Sequence, residues 1–442
     1  MFALNHWLLV SWALAGSLLS SLLACIPALH VYSVAGLVLM ILPRTARAVP
    51  PPHLAMFMLG MVVGYAVVGA IPSLFVGAPD ESSVWIVLPG QRYLLQGRGY
   101  EAAILSGLGS VGGLLVLVLL APFASRVLSP IRQVIQPHLH WLLGLVTLYL
   151  LLSEWPKGSG RGHSALRRLW DAWKSLIAGL STFLLSGLLG LIIAYRSPVP
   201  PDRSMQSLMP AFVGLFAVPW VLQNILSRTR VPRQHVCRSV DLPPGVIAHG
   251  VGAGVLGGLL AALFPVVTPG IGGLIAGHAT AQQDDRAFIL SQGSARAVYY
   301  VGALLLYWTP GLNLTRGGMA WMLSPIYRPH TSEEYWTAVA ATALCAALSF
   351  SLLPVLSRWA AALVGHVDYH WLSWGTLALL VVWVTGVTGW GGLLVTAAAT
   401  GIGLIPILFH ARRTNCMGVL LVPILLDMAG FAPQAAGWLG LR

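Results

Sequence analysis

The sequence predicts an all-α polytopic membrane protein of about 10–12 transmembrane helices, arranged as two pseudo-symmetric, inverted repeats with re-entrant or broken helices. Three observations lead there. Of 442 residues, 57% are apolar and only 9% are charged, against about 25% charged in an ordinary soluble domain. Apolar runs of about 20 residues, enough to cross about 30 Å of hydrocarbon, recur along the chain. Two of those runs are interrupted by proline and glycine at matching positions. The composition excludes a soluble enzyme, a disordered chain and a secreted disulfide scaffold. The four cysteines, Cys25, Cys237, Cys345 and Cys416, contain no CxxC pair and suggest neither a disulfide framework nor a zinc site.

Taken in order, the apolar runs are 7–25, 53–71, 101–122, 174–195, 206–226, 246–264, 286–308, 334–357, 371–388 and 389–409. Segments 134–153 and 416–431 are shorter or more polar. The first run has no basic residues before it and no clear cleavage site, so it reads as a retained helix. Net charge is +12, from 25 Lys+Arg against 13 Asp+Glu. The most basic loops are 157–174, with Lys157, Arg161, Arg167, Arg168 and Lys174, and 228–238, with Arg228, Arg230, Arg233 and Arg238. Two runs separate them, so both lie on one side, expected to be the cytoplasm of a multi-pass cell-membrane protein. That placement accounts for the basic charge without a nucleic-acid partner. The expected division is a first transmembrane repeat over 1–153, a basic cytoplasmic linker over 154–173, connecting helices over 174–245, and a second repeat with C-terminal helices over 246–442.

The repeat rests on an offset of 238 residues, which sets Gly16–Pro27 against Gly254–Pro265 with five of twelve positions identical. His30, Ser33 and Gly36 follow Pro27, and Thr268-Pro269-Gly270-Ile271-Gly272-Gly273 follows Pro265. Each apolar stretch is too long for one span and too short for two. Proline removes a backbone donor and clashes with the preceding turn, and glycine lets backbone approach closely. Each stretch is therefore expected to be a helix, a break and a half-helix. Non-helical backbone at membrane depth survives only where protein buries it or water reaches it. A half-helix that starts there directs free N–H groups and a positive dipole end into the cavity. Pro27, His30, Ser33, Gly36, Thr268, Pro269, Gly270, Gly272 and Gly273 are thus candidate substrate-binding positions for an anion. Ordinary packing kinks are the plain alternative.

Residues 72–101 are the most polar stretch of the first half and hold Asp80 and Glu81, two of only 13 acids, followed by Ser82 and Ser83. Pro79 and these residues read as a helix start. Ser82 and Ser83 are candidate anion or cation ligands, and Asp80 and Glu81 are candidate ion-coupling carboxylates for Na+ or H+. The alternative is a solvated loop with capping acids. Arg92 and Arg98 are candidates to meet lipid head groups or entering substrate. Arg296 lies inside an apolar run with Gln292 nearby, so it must pair or face water, and it is a further candidate substrate-binding residue. Asp284 and Asp285 read as first-turn acids of that run, and Thr315-Arg316-Gly317-Gly318 is a further candidate anion contact. No GxxxxGK[ST] or HExxH motif is present. The chain is accordingly expected not to be an enzyme, to hold no metal, and to need no cofactor beyond a coupling ion.

Ile26–Ala35, Gly77–Gly90, Gln96–Glu101 and Pro269–Gly273 with Asp284-Asp285-Arg286-Ala287-Phe288 resemble the TctA-type permeases. The likeness is to the archaeal-style branch of tripartite tricarboxylate transporter permeases, and it covers most of residues 12–310. It implies a transporter with two related halves and re-entrant segments near the substrate. Its bacterial systems add a small membrane subunit and a periplasmic binding protein. Here Pro27-Ala28 stands where the family usually shows Pro-Gly, and Tyr32 where an Asn often follows the His. The breaks are also similar to those of polyprenyl-phosphate translocases. The expected function is therefore secondary, ion-coupled transport of an anionic substrate such as a small carboxylate. The alternatives are a flippase of a polyprenyl-phosphate lipid carrier, and a membrane enzyme or scaffold. Expected partners are membrane lipids, an anionic small molecule or lipid phosphate, a second copy in a homodimer, and accessory transporter subunits.

Overall fold

The computed structural model describes residues 6–27, 29–41, 49–154, 164–264, 267–280, 282 and 284–441. Pro265, the second of the paired prolines, and Lys157 and Arg161 of the basic loop lie outside the described residues. The chain forms α1 (His6–Leu23), α2 (Val31–Ile41), α3 (Pro51–Val68), α4 (Ile71–Phe75), α5 (Val87–Leu95), α6 (Gly99–Leu120) and α7 (Ala124–Ile135). It continues through α8 (Leu139–Leu152), α9 (Ala165–Arg196), α10 (Met209–Phe212), α11 (Val218–Ser227), α12 (Pro244–Leu263), α13 (Pro269–Ala279) and α14 (Asp285–Trp308). The last five are α15 (Gly317–Leu323), α16 (Ser332–His366), α17 (Tyr369–Leu408), α18 (Gly418–Met428) and α19 (Ala432–Trp438). No strand occurs among the described residues. The chain is an all-α polytopic membrane protein.

Among the described residues, eight helical stretches are long and apolar enough to cross a membrane, or nine if the pair Arg413–Met428 and Ala432–Trp438, bent by 117°, counts as one span. The larger number read from the sequence has a physical source. One of the eight, Gly99–Leu152, is 54 residues long and contains α6, α7 and α8. Another, α17, is 40 residues long and includes non-helical Gly389 at φ 70°, where the runs 371–388 and 389–409 meet. α14 has 24 residues and is buried almost throughout, but Gln292 and Arg296 make it less apolar than the eight.

By contacts the chain forms two compact units, one from residues 1–135 and 227–373, the other from 136–226 and 374–442. The first unit packs on small residues. α1 crosses α3 so closely that a Cβ on Gly60 would sit 1.7 Å from the Ala13 carbonyl oxygen, and one on Gly64 would sit 2.5 Å from that of Ser17. Contacts advance together along both helices, so α1 and α3 run parallel. α12 and α14 do the same, with Gly254 against Ser291 and Gly258 against Ala295. Ser294 Oγ also donates to the Val251 carbonyl at 3.1 Å. α16 runs parallel to α1, with His6 near Thr337 and Ser17 near Ser349. It runs antiparallel to α6, where Tyr335 hydroxyl meets the Ala121 carbonyl and Gly107 meets Leu353. α6 runs parallel to α14, through Gly293 against Ser106 and Gly302 against Leu117. α1, α3 and α16 therefore point one way, and α6, α12 and α14 the other.

α2 and α13 are both 11-residue half-helices. α13 folds back along α12, with Gly272 against the Gly257 carbonyl and His249 Nε2 2.9 Å from the Thr280 carbonyl. The segment carrying Arg233–His235 lies on the α5–α6 junction, where His235 N–H donates to Gly97 and Gln234 Oε1 accepts from Gly99 N–H. In the second unit α9 packs on α18 through Gly190 against Val419, and a π-helical turn, Val213–Ala217, joins α10 to α11.

Candidate functional site

The polar centre of the first unit is built where three interrupted segments meet. After α1 the chain turns through Pro27, and His30 stands immediately before α2. Its Nδ1 accepts the N–H of Tyr32 at 3.1 Å, which satisfies one of the free donors of the half-helix. After α12, Thr268 caps α13, its hydroxyl accepting from Ile271 N–H at 3.4 Å. Gly270, in the first turn of α13, faces the Glu81 carbonyl and the Trp85 ring, which a Cβ there would approach to 3.3 and 3.1 Å. Glu81 belongs to the turn between α4 and the short 3-10 segment Val84–Ile86. The two half-helices thus begin beside the same acidic turn.

The two acids of that turn are held differently. Asp80 accepts from Ser82 N–H at 3.0 Å, Ser82 Oγ at 2.7 Å and Ser83 Oγ at 2.7 Å, and from the Tyr65 hydroxyl. Ser83 is itself anchored to Ser73, hydroxyl to hydroxyl, at 2.7 Å. A carboxylate with so many donors is stabilised as an anion and fixed in place. Among the described residues, Glu81 Oε1 meets His30 Nε2 at 3.2 Å and the Tyr300 hydroxyl at 3.5 Å. The Tyr300 hydroxyl is also 2.8 Å from His30 Nε2. Rings of Tyr32, Tyr65 and Tyr300 surround the imidazole at centroid distances of 4.7, 5.0 and 5.6 Å.

His30, Asp80 and Glu81 offer a nitrogen and two carboxylate oxygens within 4.8 Å of one another. Such a donor set fits a transition metal in kind. The Tyr32 N–H, however, occupies the lone pair of Nδ1, so the neutral ring carries its proton on Nε2, the very nitrogen that faces the acids. The cluster is therefore better suited to exchanging protons, or to an oxygen-bound cation, than to a nitrogen-ligated metal. His30, Asp80 and Glu81 side chains are each only 12–13% exposed. The adjoining cavity, lined by Ala24, Leu29, Tyr65, Ser73 and Asp80 among others, measures about 10 Å³, room for one water.

Other candidate residues are placed apart from the acids. Ser33 lies buried in the first turn of α2. Gly36 lies inside α2 rather than in a break, because α2 is already helical at Val31. Pro269 is buried at the start of α13. Gly272 and Gly273 serve packing, one against Gly257 of α12 and the other against the Gln292 amide of α14. Arg92 and Arg98 are on the surface, paired with Asp285 at 3.3 Å and Glu101 at 2.6 Å. Asp284 caps α14 by accepting from Arg286 N–H at 2.9 Å. Arg296 is 2% exposed; its Nε donates to the Ala66 carbonyl at 3.1 Å, and Nη2 has no partner among the described residues. It lies within electrostatic reach of Asp80. Gly317 and Gly318 press on the Tyr32 ring. The tyrosines escape a motif reading, although Tyr300 follows Arg296 by one helical step on the same face.

The fold and the site define a multi-pass membrane protein in which two interrupted helices meet at a largely buried polar centre. The chain belongs to the tripartite tricarboxylate transporter TctA family, whose model matches residues 10–418. It is thus a membrane transporter, and the likeness read over residues 12–310 extends along nearly the whole chain. It is 23% identical over 427 residues to an uncharacterized protein of Methanocaldococcus jannaschii, covering 94% of this chain and 98% of that protein. No solved structure matches.

Proposed function

We propose that this protein is a secondary transporter of a carboxylate-bearing anion, driven by an ion taken up at Glu81. The observation that carries the reading is the meeting of the α2 and α13 starts at the His30–Asp80–Glu81 turn. Two half-helix beginnings add positive dipole ends where an anion would dock. Asp80, saturated with donors, holds the turn in shape, and Glu81 remains the carboxylate with capacity for a proton or Na+. Arg296 supplies a buried positive charge within electrostatic reach of Asp80.

Alternating access fits the same arrangement. Residues 31–41 and 269–279 are the two half-helices, and they stand at the 238-residue offset seen in the sequence. α1–α2–α3–α6 and α12–α13–α14–α16 repeat the order long helix, half-helix, long helix, return helix, with opposite directions. We read them as inverted repeats, whose rocking would open the buried centre to either side. The family's tripartite organisation extends the reading to accessory subunits, a small membrane protein and an external binding protein, with the basic loops facing the cytoplasm.

The test is uptake of radiolabelled citrate by proteoliposomes containing the chain alone, under an imposed pH or Na+ gradient. Gradient-dependent accumulation that Glu81→Gln abolishes is the expected result. Accumulation indifferent to both gradients and to Glu81→Gln would remove ion coupling at this residue.

A further inference from the structure

A second polar centre lies in the other unit and has no part in the reading above. Between α17 and α18 the chain passes through Arg412-Arg413-Thr414-Asn415-Cys416, in a 3-10 turn spanning Arg413–Met417. The turn is buried: Arg413 is 9% exposed, Thr414 3% and Asn415 0%. Arg413 Nη1 donates to the Phe216 carbonyl at 3.4 Å, an acceptor in the π-helical turn Val213–Ala217. The guanidinium carbon lies 4.6 Å from the centroid of the Trp220 ring. Among the described residues, Arg413 Nε and Nη2 have no partner, and neither do Arg412 Nη1 and the Thr414 hydroxyl. The neighbouring acid is Glu154, whose Oε1 takes the Arg412 backbone N–H and, at 3.5 Å, the Asn415 amide.

An unneutralised guanidinium away from water is costly, and buried donors in native proteins are nearly always satisfied. Inside a membrane protein such a residue marks a pathway or a binding site by default. The two unpaired donors of Arg413 are also a particular pair. Nε–H and the facing Nη2–H form one edge of the planar group, and that edge matches two oxygens of an oxyanion. Trp220 stacks on the guanidinium face and leaves the edge free. A second guanidinium donor from Arg412 and a hydroxyl from Thr414 stand next in the chain, which favours a phosphate group with up to two charges.

We propose that Arg413, with Arg412 and Thr414, forms a phosphate-binding site in this unit, the Nε–Nη2 edge of Arg413 gripping two oxygens. The phosphate belongs either to an anionic lipid head group or to free phosphate; the chemistry of capture is the same.

Thermal unfolding of the full chain tests this in two arms. In detergent, sodium phosphate is titrated against sodium chloride at matched ionic strength. In nanodiscs, phosphatidylcholine alone is compared with phosphatidylcholine containing phosphatidic acid. A saturable rise in Tm in the first arm assigns free phosphate, and a rise confined to the second assigns a lipid head group. In either case Arg413→Gln should weaken the response by at least about tenfold, while Glu81→Gln should leave it intact. Should Arg413→Gln fail to fold, Arg412→Gln and Thr414→Val must each weaken it. A Trp220→Phe variant should lose the part of the fluorescence change that phosphate produces. No rise in either arm, or a rise unchanged in the Arg413 and Arg412 variants, would overturn the proposal. None of these readouts depends on transport, so this site and the role of Glu81 stand or fall separately.

Discussion

Asp80 and Glu81 are neighbours in sequence and unlike in chemistry. Asp80 is the acceptor for two serine hydroxyls, a backbone N–H and a tyrosine hydroxyl. Asp80→Asn would remove the charge those donors answer, and should destabilise the protein by about 3 kcal/mol, read as a lowered Tm in detergent. Glu81→Gln should leave Tm nearly unchanged and abolish gradient-driven uptake, because two donors among the described residues address that carboxylate, against four for Asp80. If the two variants exchanged these effects, the division of labour would be reversed. The acidic turn was legible in the sequence as polar residues in an apolar neighbourhood. The tyrosines around His30 were not, since Tyr65 stands alone in its apolar helix, Tyr300 is one of a Tyr299-Tyr300 pair in α14, and both gain meaning only by converging through space.

Glycine decides the packing of the long helices. Where Gly60 of α3 crosses α1, a Cβ would stand 1.7 Å from backbone oxygen, which cannot move aside. Gly60→Ala should therefore cost about 1–3 kcal/mol by overpacking. Gly252 of α12 has nothing within 4 Å of its Cβ position, so Gly252→Ala should be neutral or stabilise by up to about 1 kcal/mol. Comparing Tm of the two variants separates close approach from helix propensity. Both half-helices follow from proline and glycine in otherwise continuous apolar runs. Their extent did not, and Gly36, Gly272 and Gly273 lie in helices because hydrogen bonding resumes as soon as each break is passed. Arg92 and Arg98 read as candidates for lipid or substrate, and each has an acidic surface partner that spacing alone did not single out for Arg92, since Asp285 is far along the chain.

At the scale of the whole molecule, native cysteines report orientation. Cys237 lies in the 228–238 loop and is partly accessible, whereas Cys345 and Cys416 are buried. A membrane-impermeant maleimide should label Cys237 in inside-out vesicles and not in right-side-out ones, and Cys237→Ser should lose that label. Burial and the nearby Glu101 carboxylate push the Cys237 thiol up. Thiolate is the reactive form, so labelling should be slow at neutral pH and quicken above the ordinary thiol range. Labelling from the opposite side would invert the assigned orientation.

The sequence by itself determined the solvent and the class of this protein. Hydropathy is a local sum, so apolar runs, basic loops and paired breaks can be counted without knowing what touches what. Only the tertiary structure decided that the two breaks open beside one acidic turn, that Asp80 is saturated while Glu81 is not, and that Arg413 keeps a bidentate edge free. The meeting of the breaks depends on helix direction and on contacts such as those of Tyr300 with His30 and Glu81, more than 200 residues apart, and the Arg413 edge on a partner 197 residues away; Asp80 is saturated by near neighbours whose orientation only the folded turn fixes.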